Sequence, residues 1–124
     1  MNKSAGILEI EAGITVVHNG FERIFSSVPI HFGKGVSLAN GAYIYCTGEG
    51  DDIYIGDDNT IGGELILFPG TRIGNHCSFG TGTIIVAGGF RIGNGCVLSH
   101  GCPITQDVPE NSLVVGRRGL IFSK

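Results

Sequence analysis

The feature that most constrains the fold is a six-residue repeat, which is clearest between Ile73 and Val108. A bulky apolar residue returns every six positions, a small residue usually follows it, and a small or modest residue stands four places on. The segment Ile73-Gly74-Asn75-His76-Cys77-Ser78 is one complete unit, and Arg91 is left over as one extra residue. Because a fixed internal period decides the architecture of a chain, this repeat predicts a β-solenoid.

Three units make one triangular turn, and successive turns stack at the spacing of hydrogen-bonded strands, about 4.8 Å. Stacking predicts that equivalent residues of successive turns align in columns, and that ladders of similar side chains fill the interior. The predicted columns are Ile55, Ile73 and Ile92; Ile61, Phe79 and Leu98; Leu67, Ile85 and Ile104; Asn59, Cys77 and Cys96; Leu65, Thr83 and Cys102; and, at a corner, Asp57, Asn75 and Asn94. The expected domain is an all-β stack of roughly four coils, with no helix.

The repeat divides the chain into three parts. Residues 1–31 are predicted to be a β capping segment, residues 32–116 the solenoid, and residues 117–124 a tail. The cap is expected to contain a hairpin, because His18-Asn19-Gly20 is a good turn between two apolar runs. Ile44 is expected to start a further repeat unit, but the residues after it do not follow the pattern. A short insertion from Tyr45 to Tyr54 is therefore predicted to interrupt the repeat. Pro109 has no backbone N–H to donate to a neighbouring strand, and it is predicted to mark the exit from the solenoid.

Composition narrows the possible partners. The net charge is −3, from 8 basic and 11 acidic residues, and no basic face suggests nucleic acid. The chain shows neither a signal peptide nor a segment long enough to span a membrane. Of the four cysteines, Cys77, Cys96 and Cys102 fall on inward repeat positions. They are therefore interpreted as small core residues, and the protein as cytoplasmic.

The hexads, together with Ile92–Val97 leading into Thr105–Gly116, resemble the bacterial hexapeptide-repeat acyltransferases. The resemblance covers residues 32–116. It implies a left-handed parallel β-helix, a homotrimer, and transfer of an acetyl group from acetyl-CoA to a hydroxyl or amine of a small acceptor such as a sugar. At the exit, Gly116-Arg117-Arg118-Gly119 replaces the Gly-Asn-Pro-Ala-Lys/Arg segment that is usual in the family.

The reaction that the resemblance implies needs a general base with a pKa near neutrality, which a histidine supplies. His100 is the first candidate, because it occupies a corner of its hexad and is expected to face a neighbouring subunit. His76 is the second candidate, and a solvated turn histidine is the alternative interpretation of each. Arg117 and Arg118 are the candidates for binding a phosphate of coenzyme A. His31 is interpreted as structural.

Two other functions are known or conceivable for a solenoid of this kind, a zinc enzyme and a non-catalytic module. The γ-class carbonic anhydrases share the solenoid and bind zinc through three histidines, but the partners that His100 would need are not in place, so no metal is expected. The acidic residues of the insertion, Glu49, Asp51 and Asp52, are candidates for contact with a polar acceptor or a metal, and a solvated loop is the alternative interpretation; their spacing does not match a calcium loop. The stronger alternative is a non-catalytic assembly or binding module, for which the apolar tail Leu120-Ile121-Phe122 would suit packing against another subunit.

Overall fold

The structure, a computed structural model, describes residues 8–10, 15–18, 22–39, 42–99 and 101–124. All regular elements in these residues are short β-strands, as the six-residue period and the many turn glycines predict. The strands are β1 Leu8–Ile10, β2 Thr15–His18, β3 Glu22–Ser26, β4 Ile30–Phe32, β5 Ser37–Leu38, β6 Tyr43–Cys46, β7 Ile53–Ile55, β8 Thr60–Ile61, β9 Glu64–Leu67, β10 Arg72–Ile73, β11 Ser78–Phe79, β12 Thr83–Val86, β13 Arg91–Ile92, β14 Val97–Leu98, β15 Pro103–Ile104, β16 Ser112–Val115 and β17 Leu120–Ser123.

The strands form three sheets that wrap around one apolar interior. Sheet A has the order β1-β4-β7-β10-β13, sheet B the order β2-β3-β6-β9-β12-β15, and sheet C the order β5-β8-β11-β14-β16-β17. The chain passes through sheets B, A and C in turn, and each strand from β3 to β16 pairs in parallel with a strand of an adjacent turn. The all-β parallel solenoid is thereby confirmed, with about five turns. The left-handed coiling of the solenoid stays a prediction.

Antiparallel strands lie at both ends of the stack. Strand β1 pairs with β4, β2 pairs with β3, and β17 pairs with β16. The β2–β3 pair confirms the two strands predicted on either side of the His18-Asn19-Gly20 turn, although residues 19–21 lie outside the described residues. Parallel stacking extends down to β3, where Ser26 lies beside Cys46. The domain boundaries at residues 31 and 116 stay predictions.

Two of the predicted apolar columns are confirmed, and two contain a wrong member. Ile73 lies between Ile55 and Ile92, and Phe79 lies between Ile61 and Leu98. In the third column Val86, rather than Ile85, lies beside Ile104. In the fifth column Ile84, rather than Thr83, lies beside Leu65. Ile85 is instead 41 % exposed on the outer face of sheet B.

The reason is the place of the one extra residue. It lies between Phe79 and Val86, which are seven positions apart, and not at Arg91. This stretch contains Gly82 with a φ of 83°, in the left-handed region that glycine enters without steric cost. The turn between β11 and β12 therefore accommodates an additional residue.

The predicted insertion is shorter than expected. Ile44 does not open a repeat unit, because it lies beside Leu65, while Cys46 lies beside Leu67. Strands β6 and β7 include both ends of the predicted 45–54 segment, so the protruding loop is confined to residues 47–52. Since the chain takes eight positions from Leu38 to Cys46, two extra residues precede β6 and displace the hexad count.

The corner column of Asp57, Asn75 and Asn94 is confirmed, but for a different physical reason. The left-handed backbone belongs to the following residues, including Asp58 with φ 55° and His76 with φ 59°. The side chains of Asn75 and Asn94 instead accept hydrogen bonds from the backbone N–H groups of Asp57, at 2.7 Å, and Asn75, at 2.8 Å. A Cβ at Gly56 would collide with the Asn75 amide oxygen and one at Gly74 with that of Asn94, which explains the glycines after Ile55 and Ile73.

Candidate functional site

The described residues form an open cleft of about 250 Å³ on the outer surface near the last turn of the solenoid. The strands β12 and β15 form its floor, because Ile85 lies beside Pro103 on neighbouring strands. Its lining consists of Thr83, Ile85, Gly101, Cys102, Pro103 and Arg117. The cleft therefore combines apolar side chains with the permanent positive charge of Arg117.

The charge is placed there by the turn between β16 and β17. This turn contains Gly116 with φ 79° and Gly119 with φ 63°, and the Gly119 N–H donates to the Gly116 carbonyl at 3.0 Å. A Cβ at Gly119 would collide with the carbonyl oxygen of Pro103, so only glycine lets the turn lie directly against β15. This close approach brings Arg117 into the lining of the cleft.

The two arginines predicted to bind a cofactor have different places. Arg117 lines the cleft, whereas its neighbour Arg118 is exposed on the same turn and is not part of the lining. His100, the first candidate base, lies outside the described residues. The segment that directly follows it, Gly101–Pro103, is part of the lining.

The second candidate base lies elsewhere. His76 is in the turn between β10 and β11, at the corner between sheets A and C, and its side chain is 69 % exposed. Its nearest acidic partner is Asp58, with 3.8 Å between Nδ1 and Oδ2. The structure therefore does not bring His76 into the cleft that contains Arg117.

A second cluster was missed by the sequence analysis. His31 Nε2 lies 2.8 Å from a carboxylate oxygen of Asp52, a residue of the 47–52 loop. The His31 ring stacks on Tyr54 with 4.5 Å between ring centroids and 12° between planes. On the next strand the guanidinium carbon of Arg72 lies 4.5 Å from the Tyr54 centroid. The available signal was positional, because His31, Tyr54, Arg72 and Arg91 each precede the apolar residue that starts a repeat unit.

All four cysteines are free and buried. Burial raises the pKa of three of these thiols, and we call these three the buried thiols: Cys46, Cys77 and Cys102. A raised pKa keeps a thiol protonated near neutral pH, and a protonated thiol is a poor nucleophile. Cys102 thus lies buried behind the surface of the cleft and does not supply a reactive thiolate there.

No group of three or more histidine, cysteine, aspartate or glutamate side chains in the described part of the chain could hold a metal ion. Among the same residues there is no helix long and apolar enough to cross a membrane. A comparison with models of known protein families finds none that matches this chain. A comparison with curated proteins likewise finds no match.

Proposed function

We propose that this chain is a small acyl-CoA-dependent O- or N-acyltransferase that transfers an acetyl group from acetyl-CoA to a sugar or another small hydroxyl or amine acceptor. The observation that carries the proposal is the cleft, whose lining includes both Arg117 and the segment that directly follows His100. The proposal includes the left-handed hexapeptide-repeat class, a homotrimer with its sites between subunits, and a cytoplasmic location. The free cysteines support a reducing compartment.

In this proposal each wall of the cleft has a separate task. The guanidinium of Arg117 donates charge-assisted hydrogen bonds to a phosphate of acetyl-CoA. Ile85 and Pro103 offer apolar contact to the arm that carries the thioester. The acceptor approaches from the side of His100, and a neighbouring subunit completes the pocket.

The chemical step needs one proton shuttle. His100 removes the proton from the acceptor hydroxyl or amine, and the acceptor attacks the thioester carbonyl carbon. Backbone N–H groups stabilise the oxyanion that forms. The carbon–sulfur bond then breaks, and the departing thiolate of coenzyme A takes the proton from His100. His76 is the second candidate for this role, which requires the neighbouring subunit to bring it to the cleft.

The experiment uses the two arginines as a matched pair. Titration calorimetry with acetyl-CoA would compare the wild type with Arg117→Ala and Arg118→Ala, which remove the same charge from the same turn. We expect Arg117→Ala to weaken binding about tenfold or more, because a hydrogen bond to a charged group contributes about 1.5 to 3 kcal/mol. Arg118→Ala is expected to bind within about twofold of the wild type. Equal losses in both variants, or none in either, would contradict this use of the cleft.

One observation favours a second function, a non-catalytic assembly module. Leu120 and Phe122 are 54 % and 51 % exposed on β17, where they lie beside Val115 and Leu113 of β16. Exposed apolar patches on a soluble surface mark interaction sites. This function would be favoured if Phe122→Ser dissociates an oligomer and the intact oligomer does not bind acetyl-CoA.

A further inference from the structure

The outer face of sheet A carries a stack of side chains that is ordered in advance of any ligand. Tyr54 lies between His31 on β4 and Arg72 on β10, with both contacts at 4.5 Å. Asp52 fixes the His31 ring through the 2.8 Å contact at Nε2. A guanidinium held on an aromatic face has lost much of its rotational freedom already. A ligand that binds Arg72 therefore loses less entropy than it would on a free side chain.

The next strand places a second arginine beside the first. Arg91 on β13 is the register partner of Arg72 on β10, and both are exposed, while the isoleucines that follow them are buried. Like charges directly opposite each other on neighbouring strands are destabilising. Among the described residues neither guanidinium forms an ion pair, although the chain has 11 acidic residues and a net charge of −3.

Two acidic side chains near this face, among those that the structure describes, already have hydrogen-bonding partners. The carboxylate of Asp107 accepts a hydrogen bond from the backbone N–H of Arg91 at 2.9 Å, and Asp52 contacts His31. Two arginines in register on neighbouring strands, one of them stacked on Tyr54 and neither in an ion pair among the described residues, are a feature that an anion would stabilise. The spacing of neighbouring strands, about 4.8 Å, lets one tetrahedral anion contact both groups.

We propose that Arg72 and Arg91 form a binding site for the phosphate group of a small phosphorylated molecule. A phosphate monoester near neutral pH carries close to two negative charges, which neutralise both guanidinium groups. Each planar guanidinium can donate two hydrogen bonds to phosphate oxygens. The site lies on sheet A and does not include Arg117, so it is separate from the proposed acetyl-CoA cleft and does not depend on it.

The test titrates inorganic phosphate into the protein at constant ionic strength and follows backbone amide NMR shifts, comparing the wild type with Arg72→Gln, Arg91→Gln and Lys34→Gln. Lys34 is exposed in a corner turn and gives the same change of charge away from the site. We expect each arginine variant to weaken phosphate binding about tenfold or more, with the Lys34 variant within about twofold of the wild type. Equal affinity in all four proteins would overturn the proposal.

Thermal unfolding separates binding from a structural role. Without phosphate, Arg91→Gln is expected to be at least as stable as the wild type, because it removes a like charge from the register position beside Arg72. Phosphate is expected to raise the midpoint of the wild type and not that of Arg91→Gln. A loss of stability in Arg91→Gln without phosphate would instead indicate a structural arginine. Saturable binding of a poly-glutamate peptide without phosphate binding would assign the face to a protein partner, and either result overturns the proposal.

Discussion

Replacing Asn59 with alanine is expected to destabilise the solenoid more than any other single polar substitution in its interior. Asn59 is fully buried, and its amide group donates to the carbonyls of Gly56, at 3.1 Å, and Gly74, at 2.9 Å. Its oxygen accepts the backbone N–H of the buried Cys77 at 2.8 Å. Alanine leaves these three backbone groups without this partner. At about 1 to 3 kcal/mol for each buried group, with partial access to water for the glycines, the expected cost is about 3 to 6 kcal/mol.

A matched variant separates hydrogen bonding from simple loss of volume. Cys77 and Cys96 occupy the same column as Asn59, and the Cys77 thiol donates to the Gly93 carbonyl at 3.2 Å. Asn59→Cys is therefore expected to keep a bond to the Gly74 carbonyl and to lose the bond from the Cys77 N–H. Its free energy of unfolding is predicted to lie between those of the wild type and Asn59→Ala.

The assay is urea unfolding followed by far-UV circular dichroism, at one protein concentration for all variants because assembly raises apparent stability. The predicted loss is a large part of the roughly 5 to 15 kcal/mol that stabilises an ordinary domain. If Asn59→Ala costs less than about 1 kcal/mol, or if Asn59→Cys is no more stable than Asn59→Ala, the polar ladder is not a stabilising element.

Three further predictions concern a corner glycine, the buried thiols and the first candidate base. Gly74→Ala is expected to lower the free energy of unfolding by about 2 kcal/mol or more, because its Cβ would collide with the amide oxygen of Asn94. Gly116→Ala, which adds only backbone strain, is expected to lower it by about 1 kcal/mol. Equal losses for the two variants in urea unfolding would contradict this. Burial holds the pKa of the buried thiols above the pKa that they have in the unfolded chain. The stability that they contribute is therefore complete at pH values below the unfolded-state pKa and is lost as the pH rises above it. Urea-unfolding midpoints that stay constant between about pH 8 and pH 10 would count against this. His100→Ala is expected to abolish acetyl transfer, measured as release of coenzyme A, while leaving the fold and oligomeric state intact; retained turnover would transfer the role of base to His76 or remove it from both.

The sequence predicts the fold well where a repeat unit carries two independent signals. In Ile55-Gly56-Asp57 and Ile73-Gly74-Asn75 the apolar residue marks the interior and the glycine and polar residue mark the corner, so the register is fixed. Register fails at Ile84-Ile85-Val86, because three successive apolar residues satisfy any alignment. Only the accommodation of an extra residue in the preceding turn decides which of them faces inward, and that depends on backbone conformation rather than on residue type.

The sites were predictable only in part. The turn with two arginines was singled out from the sequence, but which arginine lines the cleft depends on how closely Gly119 approaches β15. The contact of His31 with Asp52 joins residues 21 positions apart. The stacking order of His31, Tyr54 and Arg72 could be inferred from the repeat. The path of the 47–52 loop, which carries Asp52, could not, because this loop belongs to no repeat unit. The pairing of Arg72 with Arg91 was implicit in the confirmed column of Ile73 and Ile92.

The proposal that this solenoid is an acyltransferase is tested most directly by calorimetric titration of the wild-type protein with acetyl-CoA, with the mass of the same sample determined by light scattering. The account predicts saturable binding of about one acetyl-CoA per chain in a particle with the mass of a trimer. A well-folded trimer that releases no heat and binds no acetyl-CoA would contradict the acyltransferase proposal. The chain would then be better described as a structural or binding solenoid.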